Sequence, residues 1–437
     1  MEKIPISPAL IRELSEENGI PDPGSASIRE IVQLVNLIER ETGIRYVRME
    51  MGVPGLPTPD ICIEAEIEAL RKGVSAIYPD ITGLPELKKE SARFIKLFLD
   101  IDIRSRGCIP TVGSMMGSMI SFLVANRNNR DKEGTLFLDP GFPVQKQQVM
   151  MLGHDCHTFD IYNYRGKRLR AKLESYLESG KISSLLYSNP NNPAWICFTE
   201  EELSIIGELA LKYDVIVIED LAYFGMDFRK DYSRPGEPPY QPTVARYTDD
   251  YILLISSSKI FSYAGQRIGI MAISDHLFNR SYPDLLRFYS SDKFGHSAVF
   301  GALYSLSAGV SHSSQYGLAA LFKALNNGTY NFREVVEEYA TKAAIMKDLF
   351  LSNGFNIVYD KDLDVLVADG FYFTLSYPGL TGRDLLRELL YYGISAISLD
   401  ITGSKREGLR ACVSLVPRDI FPELGQRLKK FRDDHPY

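Results

Sequence analysis

The chain has 437 residues, more than a single compact core usually holds, and this length predicts two or three domains. Hydrophobic residues make up 45% of the sequence and charged residues 24%, which is typical of a globular enzyme without long disordered segments. The formal net charge of -7 excludes the strongly basic class of proteins that bind nucleic acid or anionic membranes through their charge.

The five cysteines are scattered and never paired as Cys-x-x-Cys, a pattern typical of reduced thiols in a cytoplasmic protein rather than of disulfides or a thiolate zinc site. His154 and His157 have a spacing that metal sites can use, but no third ligand is apparent beside them, so no metal is predicted. No segment approaches the ~20 apolar residues of a membrane helix, and the N-terminus lacks the pattern of an export signal. We therefore expect a cytoplasmic protein with no membrane partner.

Between about residues 61 and 310, short β-rich runs alternate with amphipathic helices, the pattern of a parallel sheet covered on both faces. The segment around His154 and His157 is predicted to be a connection between strands. Thr199 and Glu202 form a capping box that starts the clearest helix, which ends just before the strand leading to Asp220. Buried strands are predicted at residues 135–138, 184–187, 215–218, 252–255 and 268–272.

The pattern changes in the last third of the chain. Residues 229–242 contain four prolines and predict a long surface loop. Beyond about residue 311 come a long helical segment, a β-rich run at 370–375, a helix near 383–391 and a run at 409–414, which indicate a smaller α+β domain. The predicted organisation is an N-terminal segment packed on the small domain, a large domain and a small C-terminal domain, at residues 1–60, 61–310 and 311–437.

Polar side chains follow three of the predicted strands. Asn192, Asp220 and Lys259 come after successive strands, and the carboxyl ends of strands in open α/β sheets form the ligand-binding edge. Lys259 ends the run Ser256-Ser257-Ser258-Lys259, eight residues before Arg267. This amine, carboxylate and guanidinium suit pyridoxal phosphate, which needs a lysine to hold its aldehyde as a Schiff base, an acid to keep its ring nitrogen protonated, and cations or amides for its phosphate.

Other side chains can be assigned to the ring of the same cofactor. The phenol of Tyr223 comes three residues after Asp220 and could reach the O3′ oxygen of the ring. The amide of Asn192 could bind the same oxygen. Phe142 lies on a turn after a predicted strand, where its ring could stack on a planar ligand.

The phosphate of the cofactor also has candidate partners. Residues 113–118, Gly-Ser-Met-Met-Gly-Ser, precede an apolar stretch and predict the start of a helix. The free N–H groups at such a helix N-terminus can accept a phosphate. Ser256, Ser258 and Arg267 could hold it too, the arginine through charge-assisted forked hydrogen bonds.

From about Gly52 to Arg410, these segments in this order resemble the fold-type I, class I/II aminotransferases related to aspartate aminotransferase. The Ser-x-Ser-Lys segment ending at Lys259 and Gly265-Gln266-Arg267-Ile268-Gly269 match that family's lysine segment and the Gly-x-Arg-x-Gly after it. The resemblance implies a large domain with a mostly parallel seven-stranded sheet between helices, and a smaller α+β domain. It also implies pyridoxal 5′-phosphate as cofactor, surrounded by Ser114, Met115, Phe142, Asn192, Asp220, Tyr223, Ser256, Ser258, Lys259 and Arg267.

The resemblance extends to substrate and assembly. Gly408-Leu409-Arg410-Ala411 is similar to the segment whose arginine clamps the substrate α-carboxylate, and Gly52-Val53-Pro54 to a substrate-facing turn. Asn192 is implied to contact the substrate as well. Tyr78 resembles the tyrosine that reaches the phosphate of the neighbouring subunit, which implies a homodimer with shared active sites.

The chain departs from the family pattern at two places. Asn192-Pro193-Ala194-Trp195 stands where the family has Asn-Pro-Thr-Gly, so the only tryptophan of the chain replaces a glycine and the local turn is expected to differ. Residues 399–404 replace the usual Pro-Gly segment before the carboxylate-binding arginine. The sequence assigns no role to Trp195, Asp400 or His296.

The sequence predicts an aminotransferase that moves an amino group between an L-amino acid and a 2-oxo acid through a Schiff base on Lys259. Lys259, Asp220 and Tyr223 are the predicted catalytic residues. A carbon–sulfur lyase or an aminocyclopropane-carboxylate-synthase-like enzyme would use the same residues and stays open. So does a non-catalytic, aminotransferase-like binding or regulatory module. The amino donor, the oxo-acid acceptor, the pathway and any assembly beyond a dimer are not assigned.

Overall fold

The computed structural model describes residues 4–132 and 134–436. Residues 1–3 of the predicted N-terminal segment lie outside this description. The chain divides into two compact units. The small unit contains Met1–Gly55, Asn191–Ile196 and Glu337–Tyr437, and the large unit contains Leu56–Pro190 and Cys197–Val336. The domain boundaries predicted at residues 60 and 310 stay predictions.

The strands vary in length, and the longest ones belong to the large unit. Most of these longer strands are buried along their whole length, as expected for strands covered on both faces. In chain order the strands are β1 Val47–Arg48, β2 Cys108–Thr111, β3 Gly134–Asp139, β4 Asp155–Asp160, β5 Ile182–Ser188, β6 Ile216–Asp220, β7 Tyr251–Ser256, β8 Gly269–Ile273, β9 Asn356–Ile357, β10 Lys361–Asp362, β11 Val365–Leu366, β12 Tyr372–Ser376, β13 Ile394–Ser395, β14 Ile397–Ser398 and β15 Leu409–Cys412.

The helices alternate with the strands of the large unit. A π-helical stretch, Ser297–Leu303, separates α10 from α11. In chain order the α-helices are α1 Pro8–Glu17, α2 Ile28–Thr42, α3 Asp60–Arg71, α4 Pro85–Leu99, α5 Gly113–Ala125, α6 Pro143–Met151, α7 Arg168–Leu177, α8 Glu200–Tyr213, α9 Asp275–Asn279, α10 Phe294–His296, α11 Tyr304–Ser307, α12 His312–Asn326, α13 Arg333–Leu351, α14 Gly382–Tyr391 and α15 Phe421–Asp434.

The large unit is built on a seven-stranded sheet with the strand order β2-β8-β7-β6-β5-β3-β4. All neighbours pair in parallel except β8, which is antiparallel to both β2 and β7. The predicted mostly parallel sheet is therefore confirmed. All five predicted strands are present, with ends shifted by a few residues. The capping box of Thr199 and Glu202 starts α8 as predicted, and residues 229–242 contain no helix or strand.

Two edge strands were not predicted. The expectation that the segment around His154 and His157 connects strands is wrong, because β4 pairs in parallel with β3 along its whole length. At the opposite edge, β2 contains Pro110 and pairs only with β8. Edge strands often carry polar residues or proline, so they lack the apolar run by which buried strands are found.

The small unit contains a four-stranded antiparallel sheet, β14-β15-β12-β9, and a parallel pair, β1 and β13. The β-rich runs predicted at 370–375 and 409–414 are β12 and β15, and the helix predicted near 383–391 is α14. The helical segment predicted after residue 311 is divided into α12 and α13, with Gly328 in a left-handed conformation between them.

Six phenylalanine rings form a cluster in the core of the large unit, with centroids 4.7 to 6.4 Å apart. Two of them follow the candidate site residues closely in sequence, Phe224 after Asp220 and Phe261 after Lys259. Burying these rings fixes the backbone just beyond β6 and β7. The six rings of the cluster are those of Phe94, Phe98, Phe224, Phe261, Phe322 and Phe332.

Among the described residues, no helix is long and apolar enough to cross a membrane.

Candidate functional site

Asp220 is a buried carboxylate at the carboxyl end of β6. Its side chain is 6% exposed. Oδ2 accepts a hydrogen bond of 2.7 Å from Nε2 of Gln145, and Oδ1 accepts one of 3.0 Å from the backbone N–H of Ala222. Burial raises the pKa of Asp220 to about 6, whereas these two hydrogen bonds lower it. In the described part of the chain no lysine or arginine lies within ion-pair distance of Asp220, so the carboxylate can pair with a positively charged ligand atom.

Lys259 follows β7, the strand next to β6 in the sheet. A short turn holds it there. The N–H of Ser258 donates to Oγ of Ser256 at 3.1 Å, and Oγ of Ser257 donates to the carbonyl of Ile268 at 2.6 Å. Because β6 and β7 run in parallel, their carboxyl ends meet at one edge of the sheet, and Lys259 and Asp220 are placed at that edge.

Several features favour an anion at the N-terminus of α5. Val112 gives no side-chain cap to this helix, and its first turn contains no acidic residue. The guanidinium of Arg267 lies beside the first residue, because a Cβ on Gly113 would be 2.6 Å from Nη2 of Arg267. The helix dipole, the free N–H groups of the first turn and the guanidinium therefore favour a phosphate at this point.

The serines of the lysine segment approach the same helix end. Ser256 pairs with Gly269 across β7 and β8. A Cβ on Gly269 would lie 3.2 Å from the backbone N of Ser114, so the helix N-terminus packs directly on this strand pair. Ser114 and Met115 occupy the first turn of α5, where their N–H groups have no intrahelical partner. Ser114, Met115, Ser256 and Arg267 are thus brought together.

The ring of Phe142 and the amide of Gln145 share one helix turn. Phe142 is the N-cap residue of α6, and Gln145 follows one turn later. Since Gln145 reaches Asp220, Phe142 is brought to the same edge of the sheet. Gln145 was not predicted from the sequence, and its only signal is its spacing of three residues from Phe142. Tyr223 is buried in the turn after Asp220, where the N–H of Met226 donates to its carbonyl at 3.1 Å.

In the small unit, Arg410 is a buried guanidinium on β15 with 1% exposure. Nη2 donates to the carbonyl of Glu50 at 2.5 Å, whereas Nε has no hydrogen-bond partner among the described residues. The carboxylate of Glu50 does not neutralise Arg410, because it pairs with Arg48 at 2.8 Å and accepts from Ser395 at 2.6 Å. No described acidic side chain lies within ion-pair distance of Arg410, so this cation can bind a carboxylate ligand.

The predicted substrate-facing turn and Asn192 also belong to the small unit. A Cβ on Gly52 would lie 1.9 Å from the hydroxyl of Tyr372, so only glycine fits there. Asn192 is buried in the segment 191–196, where the N–H of Trp195 donates to the carbonyl of Asn191 at 2.9 Å. Trp195 has a φ of +59°, the left-handed conformation that glycine adopts most readily.

Tyr78, Asp400 and His296 are the predicted intersubunit residue and two residues without an assigned role. Tyr78 is 91% exposed on the large unit. Asp400 forms an ion pair with Arg383 at 2.7 Å. The ring of His296 lies 4.9 Å from that of Phe300. None of these contacts involves Asp220, Lys259 or Arg410.

The fold and the large unit's residues define a pyridoxal-phosphate-binding protein. No described lysine or arginine forms an ion pair with Asp220, which fits a protonated ring nitrogen, and the uncapped helix with Arg267 fits a phosphate. Lys259 stands at the same sheet edge, and a lysine amine is the group that can hold the aldehyde of such a cofactor.

The family model for aminotransferase class I and II matches residues 46–426, and the chain belongs to this family. Members of the family use pyridoxal 5′-phosphate, so the predicted family, fold class and cofactor are confirmed.

Similar proteins are aminotransferases. A probable aspartate aminotransferase from Methanocaldococcus jannaschii is 26% identical over 231 residues, 53% of this chain and 58% of that protein, which is less than two thirds of its length. An LL-diaminopimelate aminotransferase from Aquifex aeolicus is 25% identical over 90% of this chain and 93% of its own. The solved structure of an aspartate aminotransferase from Thermus thermophilus with maleate has a TM-score of 0.74 at 15% identity, covering 93% of this chain and 96% of that one, and shows the shared fold.

Proposed function

We propose that this chain is a pyridoxal-phosphate-dependent aminotransferase that moves an amino group between an L-amino acid and a 2-oxo acid. One observation carries the proposal. The Asp220 carboxylate in the large unit and the Arg410 guanidinium in the small unit are both buried, and neither forms an ion pair with a described side chain. The cofactor carries a cationic ring nitrogen and an amino acid carries a carboxylate, so the two ligands of a transaminase supply both missing charges.

When bound, pyridoxal phosphate supplies an aldehyde that takes up the amino group and a ring that withdraws electrons from the substrate Cα. Asp220 would keep the ring nitrogen protonated, and Gln145 would orient this carboxylate through its 2.7 Å hydrogen bond. Tyr223 and Asn192 would donate to the O3′ oxygen, and Phe142 would stack on the ring.

The phosphate would be held by the N–H groups at the start of α5, by Arg267 and by serine hydroxyls. Lys259 would hold the aldehyde of the bound cofactor. When neutral and free, its Nζ would remove the proton from the substrate Cα as a general base. The phosphate-binding residues in this proposal are Ser114, Met115, Ser256, Ser258 and Arg267.

The substrate would be oriented by its α-carboxylate. The planar fork of Arg410 matches a carboxylate bidentately, and Nε is free to donate. Gly52 and Asn192 belong to the same unit as Arg410 and would complete the substrate contacts. Holding the α-carboxylate in two hydrogen bonds would position the attached Cα for proton removal.

We also propose a cytoplasmic homodimer in which Tyr78 reaches the phosphate of the partner's cofactor. Supporting this, Tyr78 and Ile77 are large hydrophobic side chains that are 91% and 61% exposed, more than an isolated surface would favour. All five cysteines are free thiols, which is typical of a reducing compartment. The proposed domain organisation remains residues 1–60, 61–310 and 311–437.

A single-turnover experiment tests the transaminase proposal. The cofactor-loaded protein is mixed with a panel of L-amino acids without any oxo acid, and absorbance and products are recorded. A transaminase converts its cofactor to pyridoxamine phosphate and releases one 2-oxo acid per chain. The lyase alternative would release pyruvate or another fragment and keep the aldehyde form, and a binding module would do neither. Lys259→Ala is the control, and near-normal turnover in that variant would contradict the role of Lys259.

A further inference from the structure

The ring of Tyr372 lies against the guanidinium of Arg410. Cζ of Arg410 is 4.8 Å from the ring centroid, and the Tyr372 side chain is 2% exposed. The contact follows from the register of β12 and β15, in which Tyr372 pairs with Cys412 and Thr374 with Arg410. Side chains two residues apart on a strand share a face, so Tyr372 and Arg410 are diagonal neighbours on one face of the sheet.

Tyr372 is itself fixed at two points. Its hydroxyl end lies against the backbone of Gly52, where an added Cβ would be 1.9 Å away. Its ring meets the fully buried indole of Trp195 edge to face, with centroids 6.0 Å apart. The indole is in turn packed on Gly370, where a Cβ would be 2.2 Å from Cε2 of the indole. The indole of Trp195, whose backbone has a left-handed conformation, is therefore packed tightly enough to support the ring of Tyr372 rigidly.

The ring contact bears on the orientation of the Arg410 guanidinium. Its one hydrogen bond to a described residue, from Nη2 to the carbonyl of Glu50, does not by itself fix the plane of the group. An aromatic face attracts the cation and restricts its plane, and a ring that cannot move restricts it further. A guanidinium whose plane is already fixed can bind a carboxylate through two hydrogen bonds without losing conformational entropy on binding.

We propose that Tyr372, supported by Trp195, is a positioning residue that holds Arg410 ready for the substrate carboxylate. The proposal rests on the proposed function, because it takes Arg410 to be the carboxylate-binding residue. The proposal also assigns a role to Trp195, which stands where the family has glycine: it supports the ring of Tyr372.

The test uses Trp195 as its own probe. It is the only tryptophan of the chain, so the tryptophan emission of the cofactor-loaded protein, excited at wavelengths that tyrosine does not absorb, reports this position. Titration with 3-phenylpropanoate, a carboxylate without an amino group, should change the emission in a saturable manner. Tyr372→Leu should raise the Kd on the order of tenfold, and Tyr372→Phe, which keeps the ring, should leave it within about twofold.

Phe373→Leu is the matched control. Phe373 is the next residue of β12, is buried on the opposite face and packs on Phe350 at 5.9 Å. Phe373→Leu also removes a buried aromatic ring from β12. It should therefore lower the Tm as Tyr372→Leu does but leave the Kd for 3-phenylpropanoate unchanged. In steady-state assays Tyr372→Leu should raise KM for the amino donor about tenfold and change kcat less than threefold.

Two results are distinguishable. If Arg410→Lys weakens 3-phenylpropanoate binding whereas Tyr372→Leu binds like wild type, the positioning role is wrong and the proposed function stands. If Arg410→Lys also binds like wild type, the carboxylate role of Arg410 fails, and the positioning role with it. Should Tyr372→Leu not fold, Trp195→Leu serves in the steady-state assay. A raised KM in that variant supports the proposal, and an unchanged KM overturns it.

Discussion

Replacing Asp220 by asparagine in the cofactor-free protein tests the buried, unpaired carboxylate directly. Burial raises the pKa of Asp220 from 3.8 to about 6. A carboxyl group whose pKa is higher in the folded state contributes stability that is fully present below pH 3.8 and is lost as the pH rises through about 6. At about 1.4 kcal/mol per pH unit, the difference between the two values corresponds to about 3 kcal/mol of folding free energy.

Asparagine has the same shape as aspartate and carries no charge at any pH. The Asp220→Asn apoprotein should therefore be more stable than the wild-type apoprotein by about 2 to 3 kcal/mol near pH 8, and the difference should approach zero near pH 4. Urea denaturation of both cofactor-free proteins across this range, followed by circular dichroism, measures the difference. With pyridoxal phosphate bound, the wild-type protein should be more stable than Asp220→Asn, because the ring nitrogen of the cofactor pairs with the carboxylate and not with the amide.

Glu219→Gln is a matched control from the adjacent position of β6. Its buried carboxyl has a pKa raised to about 7 by burial and accepts hydrogen bonds from Thr243 and the N–H of Val244. This substitution should also stabilise the apoprotein near pH 8, but it should leave the affinity for pyridoxal phosphate unchanged. Identical pH profiles of the wild-type and Asp220→Asn apoproteins would refute the account of Asp220.

Three further predictions concern the residues around the cofactor. Gln145→Leu removes the hydrogen bond that lowers the pKa of Asp220, so this pKa should rise further. The loss of apoprotein stability that accompanies ionisation of Asp220 should therefore occur at a higher pH than in the wild type, and an unchanged dependence of urea denaturation on pH would contradict this role. Arg267→Ala should weaken pyridoxal phosphate binding about 10- to 100-fold and leave pyridoxal, which lacks the phosphate, within about twofold, whereas equal losses would argue against a phosphate contact. Mixing inactive Tyr78→Ala and Lys259→Ala subunits should restore about a quarter of wild-type activity through hybrid dimers, and no recovery would exclude shared sites.

Local sequence patterns predicted the parts of the fold that local physics decides. The apolar runs of β5 to β8 and the capping box at Thr199 lie where the pattern indicated, because buried strands and helix starts depend on neighbouring residues. The edge strands β2 and β4 were missed because their pairing partners are distant in sequence and their own composition is mixed.

The candidate site shows the same division. Asp220, Lys259 and Arg267 stand in recognisable segments, so the sequence alone could propose a role for each of them. The Gln145 contact joins residues 75 positions apart, and the Tyr372 ring contact with Arg410 depends on the register of two strands. Neither contact leaves a periodic signal in the chain, so only the folded structure shows which side chains orient the charged groups.

The central claim is that the cofactor pairs with the buried Asp220 carboxylate and the substrate carboxylate with the buried Arg410 guanidinium. A crystal structure of the chain with pyridoxal phosphate and 3-phenylpropanoate would test it most directly. We predict the ring nitrogen within hydrogen-bonding distance of Asp220, Lys259 joined to the cofactor, and the carboxylate bound in a fork by Arg410. A cofactor whose ring nitrogen faces a different group, or a carboxylate bound away from Arg410, would contradict the account.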